Sequence, residues 1–368
     1  MRILYFTQGY SPHDERFLTA LAGSGNEILF LRLEPDTQIQ LPGGVTEVTL
    51  PGLSADVQTR SYTAIVHKLT VLLKEIKPDV VHAGPLQGPA WLAARTGFKP
   101  LVSMSWGWDL LAKAESSRQL RWRTIYTLSK TTVLLADART VAQKAVSLHF
   151  PPEHLRVFPW GVDLQHFSPR RRATLRAKLG WQKEFVFLCN RSMEPQYGVD
   201  EVVKAFIQMA GQHPNARLLL LGVGSQEQTL HKLVTDAGLA HRVLFGGFAT
   251  RNELPGIYRS ADVFLSASHV DGSSVSLMEA LACGKAALVS DIPSNREWVT
   301  HGQNGWLFPD GNVADLAKQM AQVCEQGVDP QMGKNARDLA ERRADWRVNF
   351  QALLGAYDLA LKLGGQAE

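Results

Sequence analysis

Short apolar runs rich in Val, Ile, Leu and Phe recur along the chain, separated by longer stretches in which apolar residues return every three or four positions. In the first half the runs fall at residues 3–6, 27–33, 80–82, 101–104 and 132–135. In the second they fall at 185–189, 217–221, 243–245, 263–266 and 286–290. Runs of this length suit strands covered on both faces, and the spacing leaves room for a crossover helix after each, so the pattern predicts parallel sheets. Two doubly wound α/β units account for the alternation better than one very large sheet.

The length of 368 residues supports that division, because a single core organises roughly 100 to 200 residues. The alternation breaks between Pro159 and Gln182, where Pro-Trp-Gly, Phe-Ser-Pro and the run Arg170-Arg171-Arg172 intervene. A first domain is expected over 1–165, a linker over 166–184 and a second domain over 185–344. Over 345–368, Trp346, Phe350, Leu353, Leu354 and Tyr357 recur at helical spacing, and this terminal helix is expected to pack across both domains.

Composition narrows the class of partner. Hydrophobic residues make up 45% and charged residues 20% of the chain, as in ordinary globular proteins. The net charge of +4 is too small to imply nucleic acid. The apolar run Leu218 to Leu221 falls far short of the ~20 residues of a membrane span, and residues 1–6 read as a first strand rather than a leader. A cytoplasmic location follows as an expectation. Cys189, Cys283 and Cys324 lack metal-ligand spacing and read as buried small hydrophobes. From Lys113 to Lys130, Arg118, Arg121, Arg123 and Lys130 alternate with Leu120, Trp122, Ile125, Tyr126 and Leu128. That pattern fits peripheral contact with an anionic membrane face, or a core-facing helix with a solvated basic side.

Ligands of open parallel sheets bind beyond the carboxyl ends of the strands, which directs attention to the loops there. Arg191 follows the run 185–189; its planar fork of donors suits a diphosphate, or equally a surface ion pair. Gly222-Val223-Gly224 lacks the third glycine of a dinucleotide fingerprint and is followed by Glu227, so a tight turn near the ligand is the better reading. Gly246-Gly247-Phe248 suits a base-binding edge, or a glycine turn with Phe248 in the core.

The most informative loop joins the run 263–266 to an apolar helix through His269-Val270-Asp271-Gly272-Ser273-Ser274-Val275. Free amides and a positive helix end there favour hydroxyls or phosphates. Glu279, a turn inside, could accept from a vicinal diol such as a ribose, and Asp271 from a hexose. Alternatively Asp271 caps the helix and Glu279 pairs with a cation.

Asp271-Gly272-x6-Glu279-Ala280-x-Ala282-x-Gly284 resembles the Glu-x7-Glu signature of retaining glycosyltransferases of the GT-B fold, family four. The likeness extends to residues 258–265 and 302–309, to 190–206 and 218–224, to 157–163 with Phe167, and more weakly to Trp106-Gly107-Trp108-Asp109. It implies two Rossmann-like domains facing a central cleft, with the donor held by the second. By position, Glu279 would hold the ribose, Arg191 the diphosphate and Phe248 the base, with Tyr197 and Gly222 beside them. Asp271 and the amides of Ser273, Ser274 and Val275 would hold the sugar, while Asp109, His82 and Trp106 belong to the acceptor side.

The sequence departs from the family pattern at several points. Asp271 stands where glutamate is usual, Tyr197 where a lysine joins the arginine, and Trp106 where a histidine is frequent. Residues 9–16 replace a glycine-glycine loop after the first strand, so His13 or Arg16 could compensate, unless the segment simply caps a helix through Ser11 or Asp14.

No Asp-x-Asp occurs, which favours Arg191 and a helix N-terminus over a bridging metal as the aid to the leaving group. The resemblance implies a UDP- or GDP-type nucleotide sugar as donor and no cofactor. It also implies same-face transfer to a saccharide, lipid-linked or small-molecule acceptor, with Asp109, Arg191 and Asp271 as the catalytic set. A nucleotide-sugar-binding protein without turnover, an epimerase and a phosphorylase of the same architecture are the alternatives.

Overall fold

The computed structural model describes residues 1–34, 39–50, 61–170 and 175–365. Arg171 and Arg172 of the basic run, and residues 366–368 of the terminal segment, lie outside the described residues. The chain forms two compact units, one of Met1–Phe158 with Phe350–Glu368 and one of Pro159–Asn349.

The first unit holds a seven-stranded parallel sheet in the order β3-β2-β1-β4-β5-β6-β7. Its strands are β1 (Arg2–Thr7), β2 (Glu27–Arg32), β3 (Val45–Glu47), β4 (Val80–Ala83), β5 (Leu101–Met104), β6 (Val133–Ala136) and β7 (Leu155–Val157). Every residue of β4, β5 and β6 is buried, as expected of central strands with helices on both faces.

The second unit holds a six-stranded parallel sheet in the order β10-β9-β8-β11-β12-β13. These are β8 (Phe185–Asn190), β9 (Ala216–Leu221), β10 (Val243–Phe245), β11 (Val263–Ser266), β12 (Ala286–Ser290) and β13 (Gly305–Phe308). Strand alternation divides the four consecutive leucines of β9 between two cores. Leu218 and Leu220 pack with Phe187, Phe206 and Leu230, and Leu219 and Leu221 with Val186, Leu188 and Tyr258.

Three strands were not expected. β3 and β7 have three residues each and lie at the sheet edges with partly exposed positions, and β13 begins at a glycine in a turn-like sequence. β3 and β7 are too short and too polar to stand out as apolar runs, whereas Trp306-Leu307-Phe308 of β13 is masked by the turn-forming Gly302-Gln303-Asn304-Gly305 before it and Pro309 after it.

The break between the units falls at Phe158 and Pro159, ahead of the expected linker at 166–184. Described residues of that segment pack into the second unit. Phe167 is buried against Tyr258, with ring centroids 6.0 Å apart, and Arg176 donates to the Ser260 carbonyl at 2.6 Å and to Asp262 at 2.5 Å. The terminal helix Trp346–Gly364 buries Leu353, Ala356, Tyr357 and Ala360, all in the stretch from Phe350 that belongs to the first unit.

Candidate active site

In the second sheet the winding reverses between β8 and β11, the place where open α/β sheets receive ligands beyond their carboxyl ends. Arg191 leaves the end of β8, and Asp271 to Ser274 follow β11 into the helix Val275–Ala282. The loops meet with little space between their backbones. A Cβ on Gly198 would lie 2.2 Å from the Ala267 carbonyl oxygen, and one on Gly222 would lie 2.4 Å from that of Arg191; both glycines have positive φ, +58° and +108°. Gly222 thus acts as a backbone spacer beneath Arg191.

Arg191 is partly buried, its side chain 10% exposed, and is held from several sides. Nη2 donates to Asp271 Oδ2 at 2.5 Å, and Nη1 donates to Ser274 Oγ at 2.7 Å and to Ser276 Oγ at 3.3 Å. The guanidinium carbon stands 4.2 Å from the centroid of the Tyr197 ring. Tyr197, which takes the place of an expected second cation, therefore orients the first one by cation–π contact. Burial pulls the guanidinium down, but the Asp271 carboxylate and its other neighbours outweigh this and hold it above its ordinary value. Burial likewise pushes the Asp271 carboxyl up, against the opposing pull of Arg191 and the Gly272 amide. With the partners this close the pair is ionised, and the carboxylate has the weaker hold on its charge.

Ser274 caps the helix by accepting from Leu277 N. Ser273 is buried and accepts from Trp298 Nε1 at 3.2 Å, while Val275 opens the helix. One turn further in, buried Glu279 accepts from the Tyr258 hydroxyl at 2.9 Å, which in turn accepts from Asn190 Nδ2 at 2.8 Å. Tyr258, Asn190, Ser276 and Trp298 are not singled out by the sequence; Asn190 closes β8, a position that could signal it, while Tyr258 and Ser276 lie within helices and Trp298 just after one, with no such signal. Phe248 is 73% exposed, which excludes the core reading of that residue and leaves an aromatic edge open to a ligand.

The first sheet reverses its winding between β1 and β4. Beyond the ends of these strands lies a cavity of about 300 Å³ lined by residues that include Thr7, Gln8, His13, Pro85 and Trp106. The rings of His13 and Trp106 meet there at 5.4 Å. Ser11 and Asp14 form a reciprocal capping box on the helix Pro12–Ala22, and Asp14 also accepts from the Tyr5 hydroxyl at 3.0 Å. The segment that replaces the glycine-glycine loop is thus a capped helix start with His13 on the cavity wall.

The two other acceptor-side expectations, Asp109 and His82, are buried side chains bonded within the first unit. Asp109 is buried and both its oxygens are engaged: Oδ2 accepts from Leu86 N at 3.0 Å, and Oδ1 accepts from Ser105 Oγ at 2.7 Å and Trp106 N at 2.9 Å. These bonds tie down the loop that carries Trp106. His82 is fully buried on β4, edge-on to Tyr5 at 4.9 Å, and its Nδ1 shares a hydrogen bond with Tyr357 at 2.7 Å. Desolvation lowers its pKa to about 3, so it is a neutral core residue.

Residues 13–166 match the model of Glycosyltransferase Family 4, and residues 171–341 match that of Glycosyl transferases group 1. The fold and site define a GT-B glycosyltransferase. The chain belongs to the group 1, family four glycosyltransferases, a retaining family, and is a nucleotide-sugar-dependent enzyme.

It is 26% identical over 314 residues to the GDP-mannose-dependent monoacylated alpha-(1-6)-phosphatidylinositol monomannoside mannosyltransferase of Corynebacterium glutamicum, covering 78% of each chain. It is 28% identical over 280 residues to the UDP-Gal:alpha-D-GlcNAc-diphosphoundecaprenol alpha-1,3-galactosyltransferase of Escherichia coli, covering 73% of this chain and 72% of the relative. Among solved structures, HepE of Anabaena in complex with UDP superposes with a TM-score of 0.80 at 21% identity, covering 97% of this chain and 100% of that one. Among the described residues no helix is long and apolar enough to cross a membrane.

Proposed function

We propose that the chain transfers a hexose, with retention, from a UDP- or GDP-hexose to a hydroxyl of a lipid-linked glycan. The observation that carries this is the Arg191 guanidinium, fixed at the N-terminus of the helix Val275–Ala282 with Glu279 one turn inside. Arg191 and the helix end meet the diphosphate, Glu279 the ribose diol, Asp271 and the amides of Ser273 to Val275 the hexose, and the Phe248 edge the base. The relatives named above act on lipid-linked acceptors and draw on GDP-mannose or UDP-galactose, which supports both halves of the proposal.

Transfer breaks the bond from the anomeric carbon to the diphosphate oxygen while the acceptor oxygen bonds to that carbon on the same face. The departing diphosphate takes the acceptor's proton, so the products are a glycoside and a nucleoside diphosphate. The work of Arg191 is to stabilise negative charge that grows on the leaving oxygens.

The test incubates the enzyme with a panel of nucleotide hexoses and lipid-linked glycan acceptors, and reads the anomeric configuration of the product by NMR. Retained configuration and a loss of at least about a hundredfold in Arg191→Ala are expected. Stabilisation by a nucleoside diphosphate without transfer from any donor would overturn the proposal.

A further inference from the structure

The helix Arg118–Lys130 turns Thr124, Thr127 and Leu128 inward and leaves Trp122 and Ile125 outward. The threonines are bonded into the fold: Thr127 Oγ1 donates to the Leu86 carbonyl at 3.1 Å, and Thr124 Oγ1 accepts from Gln87 Nε2 at 2.8 Å. Trp122 and Ile125 face solvent, 55% and 42% exposed. With Arg118 before them and Ser129 after, they line one side of the helix. A helix that served only the core would bury Trp122 and Ile125 as well.

The charge on this face is of one sign. The helix carries Arg118, Arg121, Arg123 and Lys130 and no acidic residue. Trp122 stacks on Tyr126 at 5.5 Å, and Lys130 lies over Tyr126 at 5.9 Å. Arg123 is drawn back over Trp91 at 4.3 Å and Tyr62 at 4.6 Å. Glu115, the nearby carboxylate, is shared between Arg121 and Lys144.

We propose that this face docks on an anionic lipid bilayer, with Trp122 and Ile125 entering the interface and Arg118, Arg121 and Lys130 meeting lipid phosphates. An exposed Trp ringed by basic side chains matches the amphipathic headgroup zone, where indole rings sit and cations are attracted. A second copy of the chain is a poor occupant, since a two-fold contact would set this cationic face against itself. Each basic side chain near such a surface contributes about a fivefold gain in partition.

The test sediments the full chain with phosphatidylcholine vesicles, with and without phosphatidylglycerol, at low and at high salt. Bare vesicles carry no acceptor, so failure here leaves the donor chemistry untouched. Binding is expected only with phosphatidylglycerol, and it should weaken by about tenfold or more at high salt. The double variant Trp122→Ser with Ile125→Ser should bind at least about tenfold more weakly with an unchanged thermal midpoint, and Arg118→Glu with Lys130→Glu should do the same. The proposal is overturned by wild-type protein that ignores phosphatidylglycerol, by a double serine variant that binds as well as wild type, or by a dimer that those substitutions split while vesicles go unbound.

Discussion

Arg191 and Asp271 are bonded to each other, Nη2 to Oδ2 at 2.5 Å, at the strand ends where the winding of the second sheet reverses. The cation that would meet the diphosphate is therefore already matched by a carboxylate, and an incoming diphosphate competes with Asp271 for it. Asp271→Asn removes that competition. A nucleoside diphosphate alone should bind roughly fivefold more tightly, the worth of about 1 kcal/mol for a screened charge pair. Turnover should fall, because the hexose loses a charged, two-oxygen acceptor and meets an amide NH2 in its place. Calorimetric titration of the nucleoside diphosphate beside steady-state rates checks this; weaker binding in proportion to the lost rate would sink it.

The same guanidinium stands over the Tyr197 ring, its carbon 4.2 Å from the ring centroid. This cation–π contact restricts the fork without adding charge, and such contacts contribute about 0.5–2 kcal/mol depending on desolvation. Tyr197→Ala should raise the donor KM by about three- to thirtyfold, whereas Tyr197→Phe, which keeps the ring, should stay near wild type. Equal losses in the two variants would point to the hydroxyl instead.

The placement of Arg191, Ser274 and Glu279 was legible in the sequence because they follow strands that the apolar runs already marked, and because small polar residues before an apolar helix mark its start. What the pattern lacks is the identity of partners distant in sequence. His82 reads as a site residue until Tyr357, 275 positions later, is found bonded to it. Asp109 after a strand looks the same whether its oxygens face a substrate or three internal donors. The roles of Thr124 and Thr127 were hidden likewise, since a basic helix with aromatic residues does not reveal which side faces inward until its neighbours are known.

Asp109 separates stability from chemistry. Its carboxylate accepts from Leu86 N, Ser105 Oγ and Trp106 N inside the protein. Asp109→Asn turns an amide NH2 toward some of these donors and should cost about 2–4 kcal/mol. Chemical denaturation should show that loss, while the rate per folded molecule should stay within about threefold of wild type. A large rate loss in a variant of normal stability would return Asp109 to the reacting groups.

His82 sets a pH dependence whose sign can be worked out. It is buried and neutral, with its pKa lowered by desolvation to about 3 from the ordinary 6.5. Below pH 6.5 the unfolded chain takes up a proton that the native state refuses until about pH 3, so the unfolded form is favoured progressively as pH falls through that window. The contribution to the slope approaches about 1.4 kcal/mol per pH unit. Buried Asp14, which bonds the Tyr5 hydroxyl beside the His82 ring, has its own carboxyl raised by desolvation and opposes the trend at the acid end. A difference measurement removes that term. His82→Gln keeps a hydrogen-bonding partner for Tyr357 but cannot titrate. Its urea-unfolding free energy should therefore fall less steeply than that of wild type between pH 6.5 and 4, the two curves converging toward acid. Parallel curves over that range would mean that His82 is already solvated or paired in the native state.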